Sequence, residues 1–162
     1  LANFKNSLII MTSNLGSDEI QKAFEENTAF ETAQSVAQNK VMNLLRQSIR
    51  PEFLNRIDDI VMFSPLTKIE IKQIVKLQFS TIQKSLEKQN ITLELTDEAL
   101  NGLTEMAFDP QYGGRPVRRV LQQKILNSLS KMLLGESSEK QKKLVVDFFE
   151  GAIVFRKASS RV

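Results

Sequence analysis

DPQYGGRPVRRVLQQKI, residues 109–125, opens a helix in a way that sets what stands on either side of it. Asp109-Pro110 closes the element before it, because the residue preceding a proline avoids helical angles. Gly113 and Gly114 let the chain turn sharply, and Pro116 suits the first position of a new helix. From there Val117, Leu121, Ile125, Leu129 and Leu133 recur every four residues, which predicts one apolar row on a helix running to Gly135. Arg115, Arg118 and Arg119 crowd its opening. Such a start reads as a phosphate-sensing device, as a nucleic-acid patch, or as a solvated helix face that the glycines merely permit. A helix N-terminus offers free N–H groups and partial positive charge to an anion, and Arg115 adds a charge-assisted fork.

The flanking segments build a small α+β unit around this helix. Thr67 to Glu70 gives the T-x-x-E capping box, after which Ile71, Ile74, Val75, Gln78, Ile82 and Leu86 recur at helical spacing for about five turns. Ile91, Leu93 and Leu95 alternate as a half-buried strand, and Thr96-Asp97-Glu98 starts a helix whose apolar side is Leu100, Leu103, Met106 and Ala107. LVVDFF and AIVFR, separated by Glu150-Gly151, predict a closing hairpin.

Before Pro65 the character changes. LIIM at 8–11 and DIVMF at 59–63 read as short strands buried on both faces, pieces of a parallel sheet that lack partners within the chain. Residues 17–34 are polar, with Phe24 and Phe30 isolated, and predict a weak helix and then a mobile loop. A helix is expected from about Ser35 to Ile49, ended by Arg50-Pro51.

Composition removes whole classes of chemistry. The 162 residues are 41% hydrophobic and 25% charged, enough to bury a core, and 22 basic against 19 acidic residues leave a net charge of +3, too weak to suggest a polyanion partner. Without cysteine or histidine there are no disulfides, no thiolate or imidazole metal ligands, and no histidine base. No apolar run approaches the roughly 18 residues of a membrane span, and no signal segment opens the chain, so the cytoplasm is expected and a membrane is not. The first residue is Leu1 and a strand-like run follows at once, which reads as the interior of a larger protein.

Three places could carry chemistry. Thr12-Ser13-Asn14 ends the first apolar run, where open α/β sheets bind ligands and an amide or hydroxyl can hold a water against a phosphate; equally, Ser-Asn can simply begin a turn. Arg56, within PEFLNRID, would project from a short turn anchored by Phe53, Leu54 and Ile57, reaching phosphate on another molecule or pairing with Asp58 or Asp59. The third is the glycine-opened start at Gly113, Gly114 and Arg115.

The order of FKNSLIIMTSNLGS, RPEFLNRIDDIVMF, LTDEAL and DPQYGGRPVRRVLQQKI resembles the second ATPase domain of the Clp-type AAA+ unfoldases, in particular the ClpB-type disaggregases, over nearly the whole chain. The resemblance implies an α/β fragment, the end of an AAA+ parallel-sheet subdomain over 1–65, followed by an α+β small C-terminal lid subdomain over 66–157 and a tail at 158–162. It implies that Asn14, with Thr12 beside it, matches sensor 1, which orients the attacking water. Arg56 matches the arginine finger offered to the neighbouring subunit, and Arg115, opened by Gly113 and Gly114, matches the sensor 2 arginine that touches the same subunit's ATP. Such sequences usually read Gly-Ala-Arg where this one has Gly-Gly-Arg, a departure that bears on lid stiffness rather than on contact.

No G-x-x-x-x-G-K-[ST] loop and no apolar strand ending in Asp-Glu is present, so the ATP and magnesium cradle is expected upstream of Leu1. ATP or ADP with Mg therefore belongs to the parent protein, with none expected to bind tightly to this piece alone, which should be inactive by itself and holds no metal site. The implied partners are a homo-hexamer, unfolded or aggregated polypeptide, and an Hsp70-type chaperone system. A ClpC-like or ClpA-like unfoldase feeding a protease is the alternative within the family. Those relatives carry an Ile/Val/Leu-Gly-Phe/Leu tripeptide for docking ClpP, and SDEIQKAFEENTAFETAQS contains no glycine, so no ClpP is expected. A nucleic-acid-binding module using Arg115, Arg118, Arg119 and Lys124 is the alternative of another class; it lacks interleaved aromatics, and no nucleic acid is expected.

Overall fold

The computed structural model describes residues 5–110, 112–135 and 142–157; the expected tail at 158–162 lies outside them. The chain divides into two compact units, Leu1–Pro65 and Leu66–Val162.

In the first unit, helices α1 (Ser17–Glu26) and α2 (Phe30–Ser48) pack together through Ala23, Ala33, Ala37 and Val41, all buried. Small side chains let the two backbones approach. Phe24 and Phe30 are not isolated: their rings meet edge to face at 5.4 Å, and α2 starts at Phe30 where a loop was expected. The reason is that Ala33 and Ala37 bury against α1, a contact that alanine's small side chain hides from an apolar-periodicity reading. A single turn of helix, α3 (Pro51–Leu54), follows.

Neither expected strand of this unit forms. Leu8, Ile9, Ile10 and Met11 are 61–86% exposed, and Val61 and Phe63 are 70% and 84% exposed. A strand must give its backbone N–H and C=O groups to neighbouring strands. Among the described residues of this unit neither segment has such a partner, so each stays irregular and leaves its apolar side chains in water.

The second unit follows the sequence closely. Helix α4 (Lys68–Glu87) begins with a complete capping box: the Glu70 N–H donates to Thr67 Oγ1 at 3.3 Å, and the Thr67 N–H donates to Glu70 Oε2 at 2.7 Å. Its buried face is Ile71, Val75, Phe79 and Leu86. Strand β1 (Ile91–Leu95) leads into α5 (Asp97–Ala107), capped by Thr96, whose Oγ1 accepts from Ala99 N at 3.1 Å. Strands β2 (Lys142–Phe149) and β3 (Ala152–Lys157) form the hairpin, with Glu150 and Gly151 both at positive φ, as a tight two-residue hairpin turn requires. β2 sits in the middle of the sheet, parallel to β1 and antiparallel to β3. Leu93, Leu144 and Val146 of the sheet meet α4, α5 and the last helix in one core.

That last helix is interrupted. α6 (Arg115–Leu121) passes through a π turn at Gln122–Leu126 into α7 (Asn127–Gly135). In an α-helix, residues four apart advance about 40° around the axis, so a strict four-residue row drifts off any one face. The wider π turn winds back the other way. Val117, Leu121, Ile125 and Leu129 accordingly all stay buried.

Candidate functional site

Asp109 builds the turn that carries Arg115. Its backbone oxygen accepts from Gly113 N at 3.0 Å, and its Oδ1 accepts from Tyr112 N at 3.3 Å. Gly113 takes φ 58°, a left-handed conformation that costs any other L-residue about 1–2 kcal/mol. Gly114 has φ −81° and ψ −6° and is the N-cap of α6. Arg115 is therefore the first helical residue and Pro116 the second, one place later than the sequence implied.

The expected cradle of free N–H groups is correspondingly reduced. The Arg115 N–H donates to Tyr112 O and the Val117 N–H to Gly114 O, each at 3.3 Å, while Pro116 has no N–H at all. An anion at this helix start would meet the Arg115 guanidinium rather than open backbone donors. That side chain is exposed, and among the described residues it joins no ion pair. Arg118, Arg119 and Lys124 are exposed as well, as residues of a solvated face are.

Two apolar side chains that the sequence reading missed lie close to the turn, a methyl group's width away. A Cβ placed on Gly114 would lie 3.4 Å from Ile74 Cδ1 and 3.5 Å from Leu66 Cδ1, and one on Gly113 would lie 3.8 Å from Leu66 Cδ1. The capping box held the available signal: Leu66 stands just before the N-cap Thr67, where an apolar residue usually packs inward.

In the first unit, Thr12 and Asn14 are exposed on the segment leading into α1. Ser13 Oγ accepts from Leu15 N at 3.1 Å and the Asn14 carbonyl accepts from Ser17 N at 3.2 Å, so this tripeptide does build the turn into the helix. Arg56 follows α3 in a turn closed by its own N–H donating to Phe53 O at 3.0 Å. Its side chain is exposed, and among the described residues no ion pair to Asp58 or Asp59 holds it. Gly113, Gly114 and Arg115 thus come together at one helix start, whereas no hydrogen bond or ion pair among the described residues joins Thr12 or Asn14 to Arg56. Among those residues, too, no group of three or more acidic side chains stands together that could hold a metal ion, and no helix is long and apolar enough to cross a membrane.

Residues 1–60 match the model of the AAA domain (Cdc48 subfamily). The fold is accordingly the end of an AAA+ module followed by a small α+β domain. Residues 66–146 match the model of the C-terminal, D2-small domain of ClpB protein, and the chain belongs to that family. The Bacteroides thetaiotaomicron chaperone protein ClpB is 47% identical over 158 residues, covering 96% of this chain and 18% of that protein. The probable chaperone protein ClpB 1 of Chlorobaculum tepidum is 43% identical over 157 residues, covering 96% of this chain and 36% of its own length. Among solved structures, the extended conformation of the S. cerevisiae Hsp104:casein complex superposes with a TM-score of 0.73 at 32% identity, covering 91% of this chain and 25% of that one. The chain thus spans a fifth to about a third of the length of these relatives.

Proposed function

We propose that this chain is the nucleotide-sensing C-terminal end of the second ATPase domain of a ClpB-like protein disaggregase. The observation that carries the reading is an exposed arginine, Arg115, with no ion pair among the described residues, at the glycine-opened helix start of a domain of the ClpB D2-small family. In this reading residues 1–65 belong to the large nucleotide-binding subdomain and 66–157 form its lid. The parent protein is a homo-hexamer acting on unfolded or aggregated polypeptide in the cytoplasm, in concert with an Hsp70-type system and without ClpP. The relatives matched are named ClpB, which favours disaggregation over a ClpC-like or ClpA-like role.

Bound ATP with its magnesium, held by the rest of the parent protein, supplies the transferable phosphoryl group. Arg115 fits the phosphate end of that nucleotide, since its guanidinium has no competing carboxylate among the described residues. It would bind the nucleotide of its own subunit and report its presence to the lid. Asn14, with Thr12, would orient a water. Arg56, which also joins no ion pair among the described residues, would reach across to a neighbouring subunit and offset negative charge developing on the phosphoryl oxygens.

A trans-acting arginine gives a specific test. Replacing Arg56 with Ala in the parent should leave ATP binding intact and lower turnover by roughly 10³- to 10⁵-fold. Mixing Arg56→Ala subunits with subunits lacking only a functional phosphate loop should restore part of the hydrolysis, because intact fingers then face intact sites. Mixed hexamers that demonstrably form yet recover nothing would remove Arg56 from this role.

A further inference from the structure

Residues that never touch nucleotide can still decide where Arg115 points. The backbone at 113–114, tied by the Gly113 N–H to the Asp109 carbonyl, has one residue in the left-handed region and no side chain at either position. Apolar side chains lie close beside it. Leu66 Cδ1 faces both glycines, and Ile74 Cδ1 faces the second, at distances where added methyl groups would be in ordinary contact. Both side chains are partly buried and pack against the core of the second unit.

Leu66 is itself held from two sides. It follows Pro65 and precedes Thr67, whose reciprocal bonds with Glu70 lock the entry of the chain into α4. It also stands four residues before Glu70 and five before the buried Ile71, the spacing at which a residue outside a helix packs back on its first turn. The side chain thus stands between the capped start of α4 and the glycine turn. Shortening it would leave the glycines without a wall on that side, and the turn would settle by the fraction of a methyl radius that a partly collapsed gap allows.

We propose that Leu66, assisted by Ile74, is a positioning residue that seats the Gly113–Gly114 turn and thereby aims the Arg115 guanidinium at nucleotide phosphate. The inference rests on the Arg115 reading given above. It predicts that Leu66 affects nucleotide affinity only through Arg115, and that the length of its side chain matters more than its identity.

The test is a set of nucleotide dissociation constants for the full-length protein with its other ATPase ring silenced, measured with a fluorescent ATP analogue. Arg115→Ala loses a charge-assisted hydrogen bond and should weaken binding roughly 10- to 100-fold. Leu66→Ala should weaken it about three- to tenfold, a fraction of that loss. Leu66→Met, which keeps the reach, should restore it. In the Arg115→Ala background, Leu66→Ala should add nothing. Leu144→Ala, a cavity in the same core far from the glycine turn in sequence, controls for loss of stability and should leave affinity unchanged while lowering the unfolding temperature.

Additive losses from Leu66→Ala and Arg115→Ala would overturn the inference, as would an affinity loss from Leu144→Ala that matches Leu66→Ala at equal destabilisation. If Arg115→Ala weakens binding and Leu66→Ala does not, the positioning role alone fails. An unchanged constant for Arg115→Ala sinks the sensor reading itself, and the positioning role with it.

Discussion

Alanine at Gly114 and alanine at Gly113 should shift stability in opposite directions, although the two residues are adjacent. Gly114 has φ −81° and ψ −6°, open to any L-residue. Replacing it lowers the freedom of the unfolded chain, which stabilises by about 0.4–1 kcal/mol. The new methyl would lie 3.4 Å from Ile74 Cδ1 and 3.5 Å from Leu66 Cδ1, ordinary contact without overlap. At about 0.8 kcal/mol for a fully buried methylene, a half-buried methyl adds about 0.4 kcal/mol, so Gly114→Ala should stabilise by about 1 kcal/mol in total. Gly113 has φ 58°, where alanine costs about 1–2 kcal/mol, and the same unfolded-state gain offsets only part of it. Gly113→Ala should destabilise by roughly 1 kcal/mol, leaving the two variants about 2 kcal/mol apart. Urea unfolding of the 162-residue chain, followed by helical circular dichroism, reads this directly. With a slope of about 2 kcal/mol per molar, the midpoints should separate by about 1 M. Midpoints that move the same way, or a Gly114→Ala variant less stable than the parent, would refute the turn geometry on which Arg115 stands.

Three further outcomes follow from particular contacts. Gly102→Ala should destabilise by about 1–2 kcal/mol in the same urea assay, since its Cβ would come within 2.6 Å of Phe148 Cδ2 and overpacking outweighs the gain in helix preference; adding Phe148→Ala should abolish the overpacking penalty in a double-mutant cycle. The Asp147 carboxylate is held below its ordinary range chiefly by the Phe148 N–H, then by the Thr96 hydroxyl, so its contribution is present above the ordinary carboxylate range and is lost as pH falls through the lowered value. Asp147→Asn should therefore flatten the acid side of the stability profile and change the neutral-to-alkaline side by a constant offset. In the parent protein, Arg115→Ala should raise the ATP dissociation constant of this ring, whereas Arg56→Ala should reduce turnover at unchanged affinity, so equilibrium binding and steady-state hydrolysis separate the two arginines.

What the sequence determined by itself is nearly everything local in the second unit. The capping box at Thr67 and Glu70, the alternation of Ile91, Leu93 and Leu95, the cap at Thr96 and the hairpin around Glu150-Gly151 are each written within a few consecutive residues, and each is present. Such elements depend on neighbours along the chain, so their signals survive without a partner. The order of motifs also pointed to the family, and to Arg115 at a glycine-opened helix start. The tertiary structure alone decided the rest. LIIM and DIVMF carry the composition of buried strands, yet pairing is a property of neighbours in space, and the described residues supply none. The early start of α2 comes from Ala33 and Ala37 meeting α1, a packing that alanine announces in no periodic pattern. The four-residue row from Val117 did contain a hint, because a spacing longer than the α-helical repeat must be taken up somewhere, but only the folded core placed the π turn at Gln122–Leu126. Leu66 and Ile74 reach the glycine turn from some forty residues upstream. Contacts of that range are set by how the helices close over the shared core, which no stretch of consecutive residues encodes.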